Sequence, residues 1–565
     1  MPSLDLYRCV PSLAGAACPA LFPWGYQVRF GYGRSGPFVF PEEGRWMLQV
    51  RKLHIAMKKD LRELVRDFTF ALNPGDKAAI IGEEGNGKST LLKLIYDENL
   101  VEGYVEWSGT IQKDGMILGY LSQELPEEDR DKTAYEFCCG EEAFLDSSPK
   151  EVADAAAKLR FPADLFYSDR KMGTFSGGEK VKLRMALLTL RRPDCYLLDE
   201  PSNDLDIETL EWLESFIREC PQPVLYISHD EMLLENTANV IIHLEQLRRK
   251  TLPRYTVARM GYRRYVEERL SKFAHQEQLA KKEREEERKR QEKLRKIEQK
   301  VQHQLDNIAY SDRDHVGKML KKKMKSVKSM EHRFDRERED MTEFPDSEEA
   351  ILVGFGPDTA VPGGKTVVDF TLPRLEAGGE LLAQNIRLYV RGAEHVCIIG
   401  NNGAGKTTLL RQIANELLPR RDLRAAYMPQ DYGETVDQGQ TPVEFLAKSG
   451  EKEELTRVKT YLGSMKYTPE EQGHSIAELS GGQKAKLFFL KMILDGANVL
   501  VLDEPTRNFS PLSGPVIRGI LRDFPGCIIS VSHDRRYIGE ACGTLYRMTP
   551  GGLVEAENVW GKDSE

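Results

Sequence analysis

One set of short motifs occurs twice in this 565-residue chain, in the same order and at matching intervals, and that duplication restricts the fold more than any other feature. The pattern GxxxxGKS/T appears as Gly82-Glu83-Glu84-Gly85-Asn86-Gly87-Lys88-Ser89, followed by Thr90, and as Gly400-Asn401-Asn402-Gly403-Ala404-Gly405-Lys406-Thr407, followed by Thr408. Each copy follows a short apolar run, 78–81 or 396–399, and precedes a Leu-rich pattern of helical period. Strand, glycine loop and helix in that order make an anion cradle. The glycines let successive backbone N–H groups turn inward, and the helix N-terminus behind them adds partial positive charge. Lys88 and Lys406 would then reach the β and γ phosphates of a nucleotide, and Ser89 and Thr407 would ligate Mg²⁺. A single copy could be an accidental glycine turn; two copies in matching context could not.

The intervals downstream repeat as well. Ser176-Gly177-Gly178-Glu179 and Ser480-Gly481-Gly482-Gln483 each stand 23 positions before an Asp-Glu-Pro, and each of those aspartates, Asp199 and Asp503, stands 30 positions before a histidine, His229 or His533. The Asp-Glu pairs end apolar runs, 196–198 and 499–502, that read as buried parallel strands. Carboxylates at the C-terminal end of such strands face the crevice where α/β sheets bind ligands. Asp199 and Asp503 can hold Mg²⁺ there, while Glu200 and Glu504 can act as general bases on an attacking water. An isolated acidic pair at a strand end is by default a solvated one; the twin phosphate loops displace that reading.

From Met47 onward, apart from one central segment, the chain resembles the ATP-binding cassette superfamily. The resemblance rests on Phe175-Ser176-Gly177-Gly178-Glu179 and Leu479-Ser480-Gly481-Gly482-Gln483 as signature motifs, Gln123 and Gln430 as Q-loop glutamines, and His229 and His533 as switch histidines. It implies an α/β fold in which two P-loop cassettes pack head to tail, each ATP lying between the P-loop of one and the signature serine and glycines of the other. Lys88 would share a site with Ser480, Gly481 and Gly482, and Lys406 with Ser176, Gly177 and Gly178. On the same ground Gln123 and Gln430 join the Mg²⁺ ligands, and the two histidines contact the γ phosphate. ATP would close the seam and hydrolysis release it, within one functional monomer.

Between the cassettes, residues 261–340 carry 24 Lys and Arg against 17 Asp and Glu, a net of +7 in a chain whose total is −9. That contrast points to a local polyanion contact. Apolar residues recur at helical steps through Leu294, Ile297, Val301, Leu305 and Ile308, and again through Leu320, Met324, Val327, Met330 and Phe334. With a turn at Ser311-Asp312-Arg313-Asp314, they predict a long antiparallel helical hairpin whose first arm runs from about Tyr262 to Ala309. About 40 helical residues reach roughly 60 Å. Its tip, between Leu305 and Lys328, brings Tyr310, Arg313 and His315 near Lys321-Lys322-Lys323-Met324-Lys325, a set suited to phosphates and unpaired bases of structured RNA. The run at 281–293, where Glu interleaves with Lys and Arg, reads instead as a solvated helix face.

No uninterrupted apolar run reaches the roughly 18 residues of a membrane span. The nine cysteines are scattered, with Cys138 and Cys139 the only close pair, which fits reduced cytoplasmic thiols better than a metal or disulfide framework. Residues 1–46, rich in Gly, Pro and aromatics and poor in any period, are expected to be a disordered extension; Pro19 and a lone Arg8 argue against a secretory signal. The expected organisation is therefore a first cassette at 47–246, the hairpin at 247–342 and a second cassette at 343–565.

Tandem cassettes without a membrane segment, joined by a long charged helical linker, resemble the ABC-F family. That resemblance implies a ribosome partner, with the hairpin near the tRNA sites and the peptidyl-transferase region, in contact with ribosomal RNA and tRNA, as in translation factors and in proteins that protect ribosomes from antibiotics. Only 53 positions separate Gln123 from Ser176 and 50 separate Gln430 from Ser480, too few for the arm insertion of some housekeeping members, which leans toward the ribosome-protection branch. Two other classes compete: the soluble ATPase of a membrane exporter, which leaves the basic hairpin unexplained, and a DNA-maintenance ATPase, which would bring zinc-type cysteines or longer coiled coils. One departure bears on mechanism. The first cassette continues as Ser202-Asn203-Asp204-Leu205-Asp206, close to the family's D-loop, but the second reads Thr506-Arg507-Asn508-Phe509-Ser510, with no matching aspartate. Unequal turnover is expected, with the Lys88/Ser480 site the altered one.

Overall fold

The computed structural model describes residues 48–306 apart from 114, scattered positions between 319 and 344, and 354–564 apart from 435 and 438. The extension at 1–46 lies outside the described residues. The first cassette contains β1 (Leu48–Met57), β2 (Glu63–Leu72), β3 (Lys77–Ile81), β4 (Val105–Gln112), β5 (Leu118–Leu121), β6 (Cys195–Asp199), β7 (Val224–Ile227), β8 (Val240–Gln246) and β9 (Leu252–Ala258). An antiparallel sheet of order β2-β1-β4 lies beside a six-stranded sheet of order β5-β6-β7-β3-β8-β9, parallel except for the β8/β9 pair. The second cassette repeats the plan with β10 (Thr366–Ala377), β11 (Glu380–Arg391), β12 (His395–Ile399), β13 (Ala425–Met428), β14 (Val499–Asp503), β15 (Cys527–Val531), β16 (Thr544–Thr549) and β17 (Gly552–Ala556). Its larger sheet has the order β13-β14-β15-β12-β16-β17, and β10 pairs with β11.

The short apolar runs seen in the sequence are buried on both faces, as central parallel strands must be. In β3, Ala79 and Ile81 join the core shared with the helices, while Ala78 and Ile80 join the core shared with the antiparallel sheet. Cys397 and Ile399 against Val396 and Ile398 divide in the same way in β12. β3, β7 and β6 are neighbours in that order, so the P-loop after β3, the carboxylates closing β6 and the histidine after β7 emerge at one edge of the sheet.

The helices that matter for the site are α1 (Lys88–Tyr96), α2 (Gly177–Leu190), α3 (Ile207–Glu219), α4 (Glu231–Thr237), α5 (Tyr262–Asp306), α6 (Lys406–Leu417), α7 (Gly481–Leu494), α8 (Gly514–Arg522) and α9 (Arg535–Ala541). Helix α5 is the first arm between the cassettes, 45 residues long, and at 1.5 Å per residue it spans roughly 67 Å. The described positions Met319, Lys322, Met324 to Ser326, Lys328, Ser329 and Arg333 are helical too. Thr342 donates from its backbone N–H and its hydroxyl to Glu283, at 2.7 and 3.1 Å, and the Arg284 guanidinium lies 3.9 Å from the Phe344 ring centroid. The chain therefore comes back alongside α5. The turn at 311–314 and Tyr310, Arg313, His315, Lys321 and Lys323 lie outside the described residues. The first cassette's sheet continues past Gln246 into β9. The start of the stretch expected to be hairpin is instead a single helical turn, Leu247–Lys250, between two strands, and Lys250 reaches Glu471 of the second cassette at 2.6 Å.

Where α4 and α9 meet, acids of the first cassette face arginines of the second. Arg518 donates to both Glu231 oxygens at 2.5 and 3.1 Å, Arg535 bonds Glu214 and lies 3.6 Å from Asp230, and Arg536 bonds Glu235. Arg518 and Arg535 are each only 3% exposed, so these are desolvated pairs, in which losing one partner strands a buried charge.

Candidate nucleotide sites

Each phosphate loop is held open by the glycines that the sequence places there. Gly82 has φ +145° and a Cβ on it would stand 2.2 Å from the Leu244 carbonyl oxygen; Gly87, at φ +86°, caps α1 from the left-handed region. Asn86 locks the loop from below through its amide on Leu244 O at 3.0 Å. Lys88 Nζ donates to the carbonyls of Gly82 and Glu83 at 2.8 and 2.9 Å, and Lys406 does the same on Gly400 and Asn401 at the same distances.

Around the second loop lies a cavity of about 1020 Å³ shared by both cassettes. From one side come Gly403, Gly405, Lys406, Thr407, Thr408, Gln430, Asp503, Glu504 and His533; from the other, Ser176, Gly177 and Gly178 at the N-terminus of α2. Around the first loop the cavity is about 460 Å³ and holds Gly85, Gly87, Lys88, Ser89, Thr90, Gln123, Glu200 and His229. The opposite cassette contributes Arg507 and Asn508 there, while Ser480, Gly481 and Gly482 stand behind the loop instead of lining the space. Gly400 and Ala404 complete the second loop beneath its cavity, Ala404 packed against the core. Both signature serines cap their helices, Ser176 accepting from Glu179 N and Ser480 from Gln483 N.

The sequence-predicted carboxylates converge on these cavities. In the first, Ser89 Oγ donates to Asp199 Oδ1 at 2.8 Å and Tyr120 OH to Oδ2 at 3.3 Å. In the second, both Asp503 oxygens are buried and, among the described residues, lack a donor at hydrogen-bonding geometry. Anionic oxygens so placed, beside a threonine hydroxyl and a glutamine amide, fit a hard divalent cation. Glu200 and Glu504 both sit in the left-handed region, at φ +49° and +50°, a strained backbone for glutamate that aims each side chain across the crevice. Glu200 accepts from Asn203 Nδ2 at 2.5 Å and Gln123 Nε2 at 3.2 Å, and His229 Nε2 lies 3.3 Å away. Burial opposes its ionisation, but His229, Lys88 and Asn203 together hold it down at about 2. Burial prevails at Glu504, joined by the Asp503 charge against His533 N–H, Lys406 and Arg507, and pushes it up to about 7. His533 Nε2 is 3.9 Å from Glu504, its Nδ1 has no hydrogen-bond partner among the described residues, and burial with Lys406 lowers it to about 3. His229 instead places Nδ1 2.9 Å from the Phe509 carbonyl oxygen, across the seam.

Sequence reasoning missed three groups. Met57, Leu64 and Tyr104 line the first cavity and Ala377 and Leu382 the second, apolar ledges that suit a base; they belong to the antiparallel sheets and their edges, where no motif marks them. Arg507 lines both cavities and pairs with Asp204 of the other cassette at 2.8 Å. Glu83 accepts from the hydroxyls of Ser510 and Ser513 at 2.8 and 2.6 Å and lies 3.5 Å from Lys486, a cross-cassette set whose only trace in the sequence is Glu83-Glu84 standing where the second loop has Asn401-Asn402.

Comparison with known proteins agrees with this geometry. The ABC transporter family profile matches residues 65–203 and 383–507, one stretch in each cassette. ATP-binding cassette sub-family F member 3 of Homo sapiens is 28% identical over 522 residues, covering 86% of this chain and 69% of the relative. The energy-dependent translational throttle protein EttA of Escherichia coli O6:H1 is 27% identical over 551 residues, covering 87% and 91%. Among solved structures, the archaeal ribosome recycling factor aABCE1, in complex with ribosomal stalk protein aP1, superposes with a TM-score of 0.53 at 19% identity, over 89% of this chain and 90% of that one. Among the described residues no helix is long and apolar enough to cross a membrane. Paired loops, paired carboxylates and F-type relatives thus lead to one placement: the chain carries two matched ATP-binding cassettes and is a tandem-cassette ATPase similar along most of its length to members of the F type.

Proposed function

We propose that this ATPase acts on the ribosome, using ATP-dependent closure of its cassettes to set the long hairpin against ribosomal RNA and hydrolysis to release it. The observation that carries the reading is the root of α5. Tyr262 OH donates to the Pro511 carbonyl of the second cassette at 3.0 Å, Tyr265 OH meets His243 Nδ1 at 2.8 Å, and Arg269 pairs with Glu245 at 2.8 Å. His243 and Glu245 lie on β8, whose Leu244 carbonyl holds Asn86 of the P-loop. A change at the phosphate loop or the seam therefore acts directly on the base of a helix that extends tens of ångströms. The names of relatives support the choice of partner: EttA is a translational throttle and aABCE1 a ribosome recycling factor. Exposed Lys322, Lys325 and Lys328 supply cations for phosphate contacts near the tRNA and peptidyl-transferase sites, the position suited to regulating translation or clearing an antibiotic.

Within each cavity, Lys88 or Lys406 would turn from its loop carbonyls to the β and γ phosphates. Glu200 or Glu504 would orient the attacking water and take its proton, steadied by His229 or His533. Mg²⁺ would be held by Ser89, Asp199 and Gln123 in one cavity and by Thr407, Asp503 and Gln430 in the other; when bound it offsets the charge on the terminal phosphates. The Glu200→Gln, Glu504→Gln double variant tests the whole. It should co-sediment with ribosomes in ATP and not in ADP. Recovery in a membrane complex without ribosome binding would favour an exporter ATPase and refute the proposal.

A further inference from the structure

The two phosphate loops meet the opposite signature helix in different ways. In the larger cavity, the first residues of α2 line open space shared with Lys406 and Thr407, where the anion of a bound molecule can reach their N–H groups. Around the smaller cavity that position is filled by the protein. Glu84, from the phosphate loop, accepts a hydrogen bond from Gly482 N at 2.7 Å, and a Cβ on Gly481 would stand 3.3 Å from the same carboxylate oxygen. Its counterpart Asn402 has no charge and turns instead to the first cassette's D-loop, its side chain donating to Asp204 O and its N–H reaching Asp206 Oδ2 at 3.4 Å.

The exchange is reciprocal. Where the first cassette has Asp206 in the D-loop facing asparagines in the loop, the second has Ser510 facing glutamates. The carboxylate has moved across the seam, and Ser510, Ser513 and Lys486 receive Glu83, which fixes the backbone that presents Glu84. A carboxylate on the first-turn N–H groups of a helix satisfies the same donors and the same partial positive charge as a phosphate oxygen does.

We propose that Glu84 is a resident anion standing in for the terminal phosphate on α7, so that the Lys88 cavity closes against the second cassette without a triphosphate and accepts nucleoside diphosphate about as readily as triphosphate. Discrimination between ATP and ADP then falls to the Lys406 cavity. This follows from the ATP-binding geometry alone and is independent of ribosome association.

The test measures ADP and ATP affinities of the full chain at each cavity in isolation, with fluorescent analogues of both nucleotides. Lys406→Ala leaves the first cavity to be read and Lys88→Ala the second. In the Lys406→Ala background the Kd ratio of ADP to ATP should lie within threefold of one. Adding Glu84→Asn should raise it at least tenfold, because the helix donors then await a phosphate. Glu84→Gln, which keeps the shape and the acceptor but loses the charge, controls for folding and should move the ratio the same way. In the Lys88→Ala background, Asn402→Glu should erase the second cavity's preference for ATP. A first cavity that already favours ATP tenfold with Glu84 in place, or a ratio that moves less than threefold in both Glu84 variants, would overturn the proposal.

Discussion

Replacing Tyr262 by Phe isolates the link between the seam and the hairpin. The ring is 3% exposed and packs in the helical core of the first cassette, so Phe keeps the packing and removes only the hydroxyl that donates to Pro511 O at 3.0 Å. A net hydrogen bond contributes about 0.5–1.5 kcal/mol. This one joins the two cassettes, so its free energy belongs to the closed arrangement and disappears when they separate. Losing it should shift the closing equilibrium by about two- to twelvefold. Dyes attached through unnatural amino acids at exposed Lys150 and Lys459, one in each cassette, report closure by energy transfer in the Glu200→Gln, Glu504→Gln background. The ATP concentration for half-closure should rise by that factor, with ATP affinity of the open form unchanged. An unaltered half-closure point would show that the helix root does not sense the seam, and the mechanical coupling would fail with it.

The two bases should not be interchangeable. Glu504→Gln is expected to lower total ATP turnover by about 10²-fold or more, while Glu200→Gln keeps at least half of it; equal residual rates in steady-state assays would contradict the asymmetry of the two cavities. Reversing Lys322, Lys325 and Lys328 to Glu should weaken ribosome binding and flatten its dependence on salt by roughly 0.7–0.9 in log–log slope for each phosphate that is no longer neutralised. Unchanged sedimentation between 50 and 200 mM salt, roughly the range where such contacts register, would remove the hairpin from the interface.

The position of the phosphate loops and of Asp199, Glu200, Asp503 and Glu504 around the two cavities was legible in the sequence because such an arrangement demands particular residue types at short range: a cradle needs glycines and a lysine within a few positions, and a buried strand needs an apolar run before its carboxylate. The start of α5 at Tyr262 was legible for a related reason, since helical period is local. Glu83 with Ser510 was not. Its partners stand 427 positions apart and meet only because two cassettes pack together, so no window of sequence contains the pattern. The missing D-loop aspartate was visible as a departure, but its complement in the first loop becomes readable only when the two loops are set side by side. β9, which falls at the start of the stretch 247–342 expected to form the hairpin, was not legible for the opposite reason. Its short connection from β8 is basic, and the signal of an exposed turn is the same as that of a solvated linker.

The acid-to-arginine pairing between α4 and α9 also decides which cassette can pair with which. Two first cassettes, from separate molecules, would bring Glu214, Asp230, Glu231 and Glu235 against their own copies; two second cassettes would do the same with Arg518, Arg535 and Arg536. Like-with-like assembly would set like charges together, with Arg518 left only Glu540 of its own cassette, whereas the covalently joined halves neutralise both faces. The acid face and the arginine face thus give the two cassettes distinct identities, and the pairing that neutralises both is the one between the joined halves.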